Sequence, residues 1–160
     1  MMSVTRRYYF SASHRLHLRD LSERENEELY GKCNNPFGHG HDYVLEVTAQ
    51  GATDPFTGQV ALRRELDDLV REQVLNIFEH RNINLDIPQF KSAVPTTENI
   101  ALVIADLLRE HWNAFISSQA RLSRIHIQET DRNGFEVLIP STTRREAEEN
   151  REPETAGVHG

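Results

Sequence analysis

The chain has 160 residues, 38% of them hydrophobic and 27% charged, the make-up of one ordinary domain large enough to bury a core. Its net charge of −7 and pI near 5.6 come without a clustered run of Lys and Arg, which argues against nucleic acid but leaves room for a small anionic ligand. A single cysteine excludes an internal disulfide and fits a reducing compartment. No apolar run approaches a membrane span, and "MMSVTRRYYF" lacks the apolar stretch of a secretory signal, so the cytoplasm is the expected location.

In chain order, "VTRRYYFSASHRL" alternates, with Val4, Arg6, Tyr8, Phe10, Ala12 and His14 sharing one parity, and reads as a strand. The segment 16–41 is too long for a hairpin loop, and "SEREN" from Ser22 predicts a short capped helix inside it. A second strand, "HDYVLEVTAQG", places Tyr43, Leu45, Val47 and Ala49 on one face. Turn residues follow in "ATDPFTGQV". Leu66, Leu69, Val70, Val74, Ile77 and Phe78 then form the stripe of an amphipathic helix. Ile100, Val103, Ile104, Leu107, Leu108, Trp112 and Phe115 form a second, with Thr96 or Thr97 as its N-cap and Glu98 in its first turn. "RLSRIHIQET" and "GFEVLIP" read as two further strands, joined by "DRNG" with a hairpin turn signal at Asn133-Gly134. The expected fold is α+β, ββααββ: a four-stranded antiparallel sheet with two helices on one face. It occupies residues 1–140 as one catalytic domain, and the charged segment 141–160 reads as a disordered tail.

The chemistry-bearing residues cluster in "CNNPFGHGH". His39 and His41 are two apart, so in an extended segment both rings face one side, and His14 has the parity to join them if the first two strands pair. Three neutral imidazoles with one open position describe a catalytic zinc site, although a His-x-His pair also arises by chance in a chain with 8 histidines. Cys33 is either a small buried hydrophobe or a loop thiol beside the metal, made acidic by the dication and Lys32. Glu79 and His80 are either two solvated residues at a helix end or an orienting carboxylate–imidazole pair. Glu129 has the parity of the apolar face, where a carboxylate needs a partner such as paired ligand N–H groups, or it ends the strand in water.

Taken together, "FSASHRL", "GKCNNPFGHGHDY", "DPFTGQV", "EHRNINLD", "PTTENIA" and "QETDRNG" resemble, in order and spacing, the 6-pyruvoyl-tetrahydropterin synthase family. The resemblance covers about residues 6–138 and implies zinc on His14, His39 and His41, with Cys33 as the proton-moving base. It further implies His80 as the triad histidine, Glu129 as the pterin anchor, and Thr96 and Thr97 lining the pterin pocket. The implied reaction converts 7,8-dihydroneopterin triphosphate to 6-pyruvoyl-tetrahydropterin with loss of triphosphate, a carbon–oxygen lyase step of tetrahydrobiopterin biosynthesis. The implied assembly is the tunnelling fold, a homohexamer of two trimers with sites between subunits. One departure is Glu79, where the family usually carries aspartate, one methylene shorter. The related queuosine-type 6-carboxytetrahydropterin synthases typically place three residues between the cysteine and His-x-His; the five here, "NNPFG", favour the pyruvoyl type. A non-catalytic zinc- or pterin-binding relative is a further alternative. Arg15, Lys32 and Arg81 are candidates for the triphosphate by charge and position.

Overall fold

A computed structural model describes residues 1–141. The segment expected to be a tail lies, apart from Ser141, outside the described residues.

The alternating N-terminal segment forms β1, Met2–His14, and the second strand forms β2, His39–Gly51. They pair antiparallel over their whole length, Met2 against Gly51 and His14 against His39, so even positions of β1 share a face with odd positions of β2. That face carries Tyr8, Phe10, Ala12, Tyr43, Leu45, Val47 and Ala49, all buried. Between the two strands lies α1, Glu23–Tyr30, opened by the capping box expected from "SEREN": Ser22 Oγ accepts from Glu25 N–H, and Glu25 accepts from Ser22 N–H. A 3₁₀ turn, Gly31–Asn34, then carries Cys33 toward β2.

The first amphipathic stripe forms α2, Arg63–Val70, which continues through a π turn, Arg71–Leu75, into α3, Asn76–Phe78. After the two-residue β3, Arg81–Asn82, come the single turn α4, Ile83–Asp86, and a 3₁₀ turn, Pro88–Lys91. The second stripe is α5, Thr97–Phe115, with Thr96 as N-cap, its Oγ1 accepting from Asn99 N–H. The last strands are β4, Arg121–Gln128, and β5, Gly134–Leu138. One core joins the sheet face to Leu66, Leu69 and Val70 of α2 and to Ile100, Ile104, Leu108 and Trp112 of α5. Each fully buried aliphatic or aromatic side chain there contributes roughly 1.5–3 kcal/mol.

Three local features depart from the sequence reading. The sheet has five strands, ordered β3-β1-β2-β4-β5, where four were expected. The extra one pairs parallel with Ala12 and Ser13 over two residues, too short to show any alternation. In β4 the buried residue is Leu122 rather than Ser123, because a bulge opposite Thr48 and Ala49 inserts one residue into the register. The hairpin turn is not centred on Asn133-Gly134: neither residue has positive φ, and Asn133 N–H closes a turn on Thr130 C=O. Gly134 instead begins β5, where an added Cβ would lie 2.7 Å from His126 Nε2.

Candidate functional site

The register dictates the centre of the site. His14 stands opposite His39, and His41 stands opposite Ala12, so the three imidazoles meet on the core face at the end of the β1–β2 pair. Their ligand nitrogens all lie within 4.8 Å of one another, and His14 Nε2 is 3.1 Å from His39 Nε2. A tetrahedral ion with nitrogen ligands at its usual distance would hold such nitrogens about 3.3 Å apart. His14 is fully buried, and its Nδ1 lies 2.8 Å from Pro95 C=O. A carbonyl only accepts, so Nδ1 carries the proton and Nε2 turns its lone pair inward, the usual way a metal-bound histidine is oriented. His41 Nε2 is buried without a hydrogen-bond partner, as a ligand nitrogen would be. Burial pulls His14 down to about 4, against the raising effect of Pro95, and also lowers His39. His14 and His39 therefore present neutral nitrogens to a cation, and with the unpartnered His41 Nε2 these residues fit one.

Around the cluster, Gln128 pairs with Val44, so Glu129, one residue on, comes level with Tyr43. Its Oε1 lies 3.6 Å from His41 Nε2 and 3.7 Å from His14 Nε2. Thr97 Oγ1 donates to that same oxygen at 2.7 Å, which ties the carboxylate to the first turn of α5. Thr97 thus belongs to the site directly, whereas Thr96 uses its hydroxyl to cap the helix. Tyr43 lies fully buried beneath the imidazoles, stacked on Phe10, with no partner for its hydroxyl.

Cys33 is half-buried, and burial first, then the charge of Glu129, push its thiol up. Lys32, expected to favour the thiolate, is exposed and plays no part in that shift. The backbone of Cys33 is fixed from the strand side, its C=O accepting from Leu16 N–H at 2.8 Å.

Glu79 and His80 form a second cluster. The helix ends at Phe78; Glu79 is extended, and His80 takes φ +57, a left-handed conformation unusual outside glycine. That reversal brings neighbours in sequence face to face, with His80 Nε2 3.1 Å from Glu79 Oε1. The other oxygen, Oε2, accepts from Ser11 N–H at 2.9 Å, and His80 N–H donates to Ser11 C=O at 2.7 Å. The longer glutamate side chain therefore reaches both the imidazole and β1. His80 opens onto a cleft of about 580 Å³ that Ser11, Ser13, His41, Asp42 and Arg81 also line. Among the described residues no hydrogen bond or ion pair joins His80 to Cys33. The chain thus carries two clusters, the imidazoles with Glu129 and the Glu79–His80 pair on the border of β1, and His41 lines the same cleft as His80.

Of the three basic candidates, Lys32 and Arg81 are exposed, while the Arg15 guanidinium is turned onto Asn34. Sequence reasoning missed two groups because both act through the backbone: the Pro95 carbonyl that orients His14, and the Ser11 peptide that holds Glu79 and His80. Asn34, immediately after the thiol, was legible as a residue but not as a contact.

The chain matches the 6-pyruvoyl tetrahydropterin synthase family over residues 3–139. A 6-pyruvoyl tetrahydrobiopterin synthase of Poecilia reticulata is 44% identical over 130 residues, covering 81% of this chain and 85% of that protein. The Homo sapiens 6-pyruvoyl tetrahydrobiopterin synthase is 42% identical over 130 residues, covering 81% and 86%. The solved structure of Caenorhabditis elegans 6-pyruvoyl tetrahydropterin synthase superimposes with a TM-score of 0.78 at 37% identity, covering 87% of this chain and 96% of that one.

Proposed function

Because the chain belongs to the 6-pyruvoyl tetrahydropterin synthase family, we propose that it converts 7,8-dihydroneopterin triphosphate to 6-pyruvoyl-tetrahydropterin with loss of triphosphate. It is a carbon–oxygen lyase of tetrahydrobiopterin synthesis. The observation that carries the reading is the His14, His39 and His41 cluster, with the His14 tautomer set by Pro95. Zinc is the ion that suits three imidazoles, and when bound it supplies Lewis acidity toward the side-chain hydroxyls of the pterin.

The remaining work falls to the chain's own groups. Glu129, held by Thr97, anchors the pterin by accepting from its amidine-like N–H edge, which fixes the reacting carbons relative to the imidazoles. Cys33 takes a proton from one side-chain carbon and returns it to another. The reaction is an internal redox exchange, so no nicotinamide is required. His80, oriented by Glu79, poises the proton transfers. Among the described residues no hydrogen bond or ion pair joins His80 to Cys33 within one chain, which supports a homohexamer built of two trimers, His80 of one chain serving Cys33 of its neighbour across a subunit boundary. The lone reduced cysteine fits a cytoplasmic enzyme, and no helix among the described residues is long and apolar enough to cross a membrane.

Glu79→Gln keeps the length and the acceptor for Ser11 N–H but removes the charge beside His80. The expected result is a fall in kcat of about a hundredfold with KM little changed, read by steady-state triphosphate release. An unchanged kcat would remove the Glu79 charge from the chemistry.

Incubation of the purified protein with 7,8-dihydroneopterin triphosphate tests the whole reading. Release of triphosphate together with a 6-pyruvoyl product is expected. A carboxylated pterin would reassign the chain to the queuosine type, and bound zinc without triphosphate release would make it a binding protein.

A further inference from the structure

The turn that carries the thiol is bolted to the strand that carries His14, and the bolt is made of side chains no role has yet claimed. Arg15 follows His14 directly. Its Nε donates to Asn34 C=O at 3.0 Å, and its terminal nitrogen donates to Asn34 Oδ1 at 3.3 Å. His17 Nδ1 lies 2.9 Å from the same Oδ1, and Leu16 N–H donates to Cys33 C=O at 2.8 Å. From the other side, Asn84 clamps the Arg15 peptide, accepting its N–H at 2.8 Å and donating to its C=O at 2.9 Å. Asn34 is 8% exposed, so the acceptor end of this brace is held inside the fold while the guanidinium reaches it from the partly exposed side.

We propose that Arg15 is a positioning residue for Cys33, clamping the Asn34 turn so that the thiol keeps a fixed place relative to the three imidazoles. The proposal rests on Cys33 being the proton carrier. The guanidinium suits this task because its planar fork meets the Asn34 carbonyl and side-chain oxygens at once, which a lysine ammonium cannot do. Charge alone would assign Arg15 to the triphosphate, but Nε and one terminal nitrogen are already directed at the turn. Positioning errors near one ångström cost about a hundredfold in rate, so a brace at this point is a lever on kcat rather than on substrate affinity.

Cys33 is the single cysteine of the 160-residue chain, which gives the brace its own readout: iodoacetamide labelling of the intact protein reports on that thiol alone. Arg15→Ala and Arg15→Lys, purified with their metal, are compared with wild type in metal content, steady-state triphosphate release and labelling rate at pH 8. For Arg15→Ala the expected result is wild-type metal content, KM within about twofold, and kcat lower by about tenfold or more. Labelling of Cys33 is expected to be several-fold faster, because release of the turn uncovers the half-buried thiol. Arg15→Lys, keeping one donor, recovers part of both losses. If Arg15→Ala does not fold, Asn34→Ala removes the side-chain acceptor while leaving Asn34 C=O to Arg15 Nε, and carries the same expectations at smaller size. A raised KM at unchanged kcat would place Arg15 on the triphosphate and overturn the proposal, as would loss of metal or an unchanged labelling rate. Should wild type release no triphosphate, the lyase reading fails while the labelling rates still decide whether Arg15 holds the turn.

Discussion

His41→Ala is expected to yield a folded protein that retains less than about a tenth of the wild-type metal per chain and turns over at least about a thousandfold more slowly. His41 is the ligand to remove first. His14 is fully buried between the sheet and the Pro95 segment, so its loss would open a cavity and mix unfolding with metal loss. The side chain of His41 is 15% exposed, its Nε2 has no hydrogen-bond partner among the described residues, and its place opposite Ala12 leaves the β1–β2 ladder untouched. Metal analysis, circular dichroism and triphosphate release on one preparation check this. Full metal content in the variant would mean that the imidazoles are a packed cluster rather than a ligand set.

Cys33→Ala carries the second large effect and the opposite pattern. Alanine removes the sulfur and leaves the turn's backbone bonds to Leu16 and Arg15 in place. Metal content and pterin binding should stay at wild-type levels while triphosphate release falls by about a thousandfold, the range for loss of a general base. The half-buried thiol is pushed up by burial and by Glu129, so the isolated chain does not itself favour the thiolate. Loss of metal on this substitution would show that sulfur is a fourth ligand, which closes the site and makes it structural.

Much of this site was legible because its key residues sit on alternating strands. The parity of "FSASH" turns His14 inward with Phe10 and Ala12, and the spacing of His39 and His41 does the same on β2, so pairing the strands brings the rings together. Glu129 was readable on the same grounds and came level with Tyr43, although the bulge near Leu122 shifted which residues are buried earlier in β4. The capping box at Ser22 was equally plain, because both of its bonds are local.

What escaped depends on conformations and backbone groups that side-chain patterns do not encode. The pairing of Glu79 with His80 stayed open in the sequence, because neighbours meet here only through the left-handed φ of His80, a turn tied to β1 through the Ser11 peptide. β3 exists for the same reason, as the chain leaving His80 runs beside Ala12 and Ser13 for two residues. The Asn133-Gly134 pair misled because the turn closes earlier, on Thr130. Arg15 was read by its charge, when its neighbours in space determine its work.

The central claim is an ion held by nitrogen from three histidines with one position left for substrate. X-ray absorption at the zinc edge of the purified protein tests it most directly. The account predicts a shell of nitrogen and oxygen scatterers at about 2.0–2.1 Å with no sulfur. A sulfur scatterer at about 2.3 Å, or a protein that takes up no zinc while its histidines are intact, would contradict it.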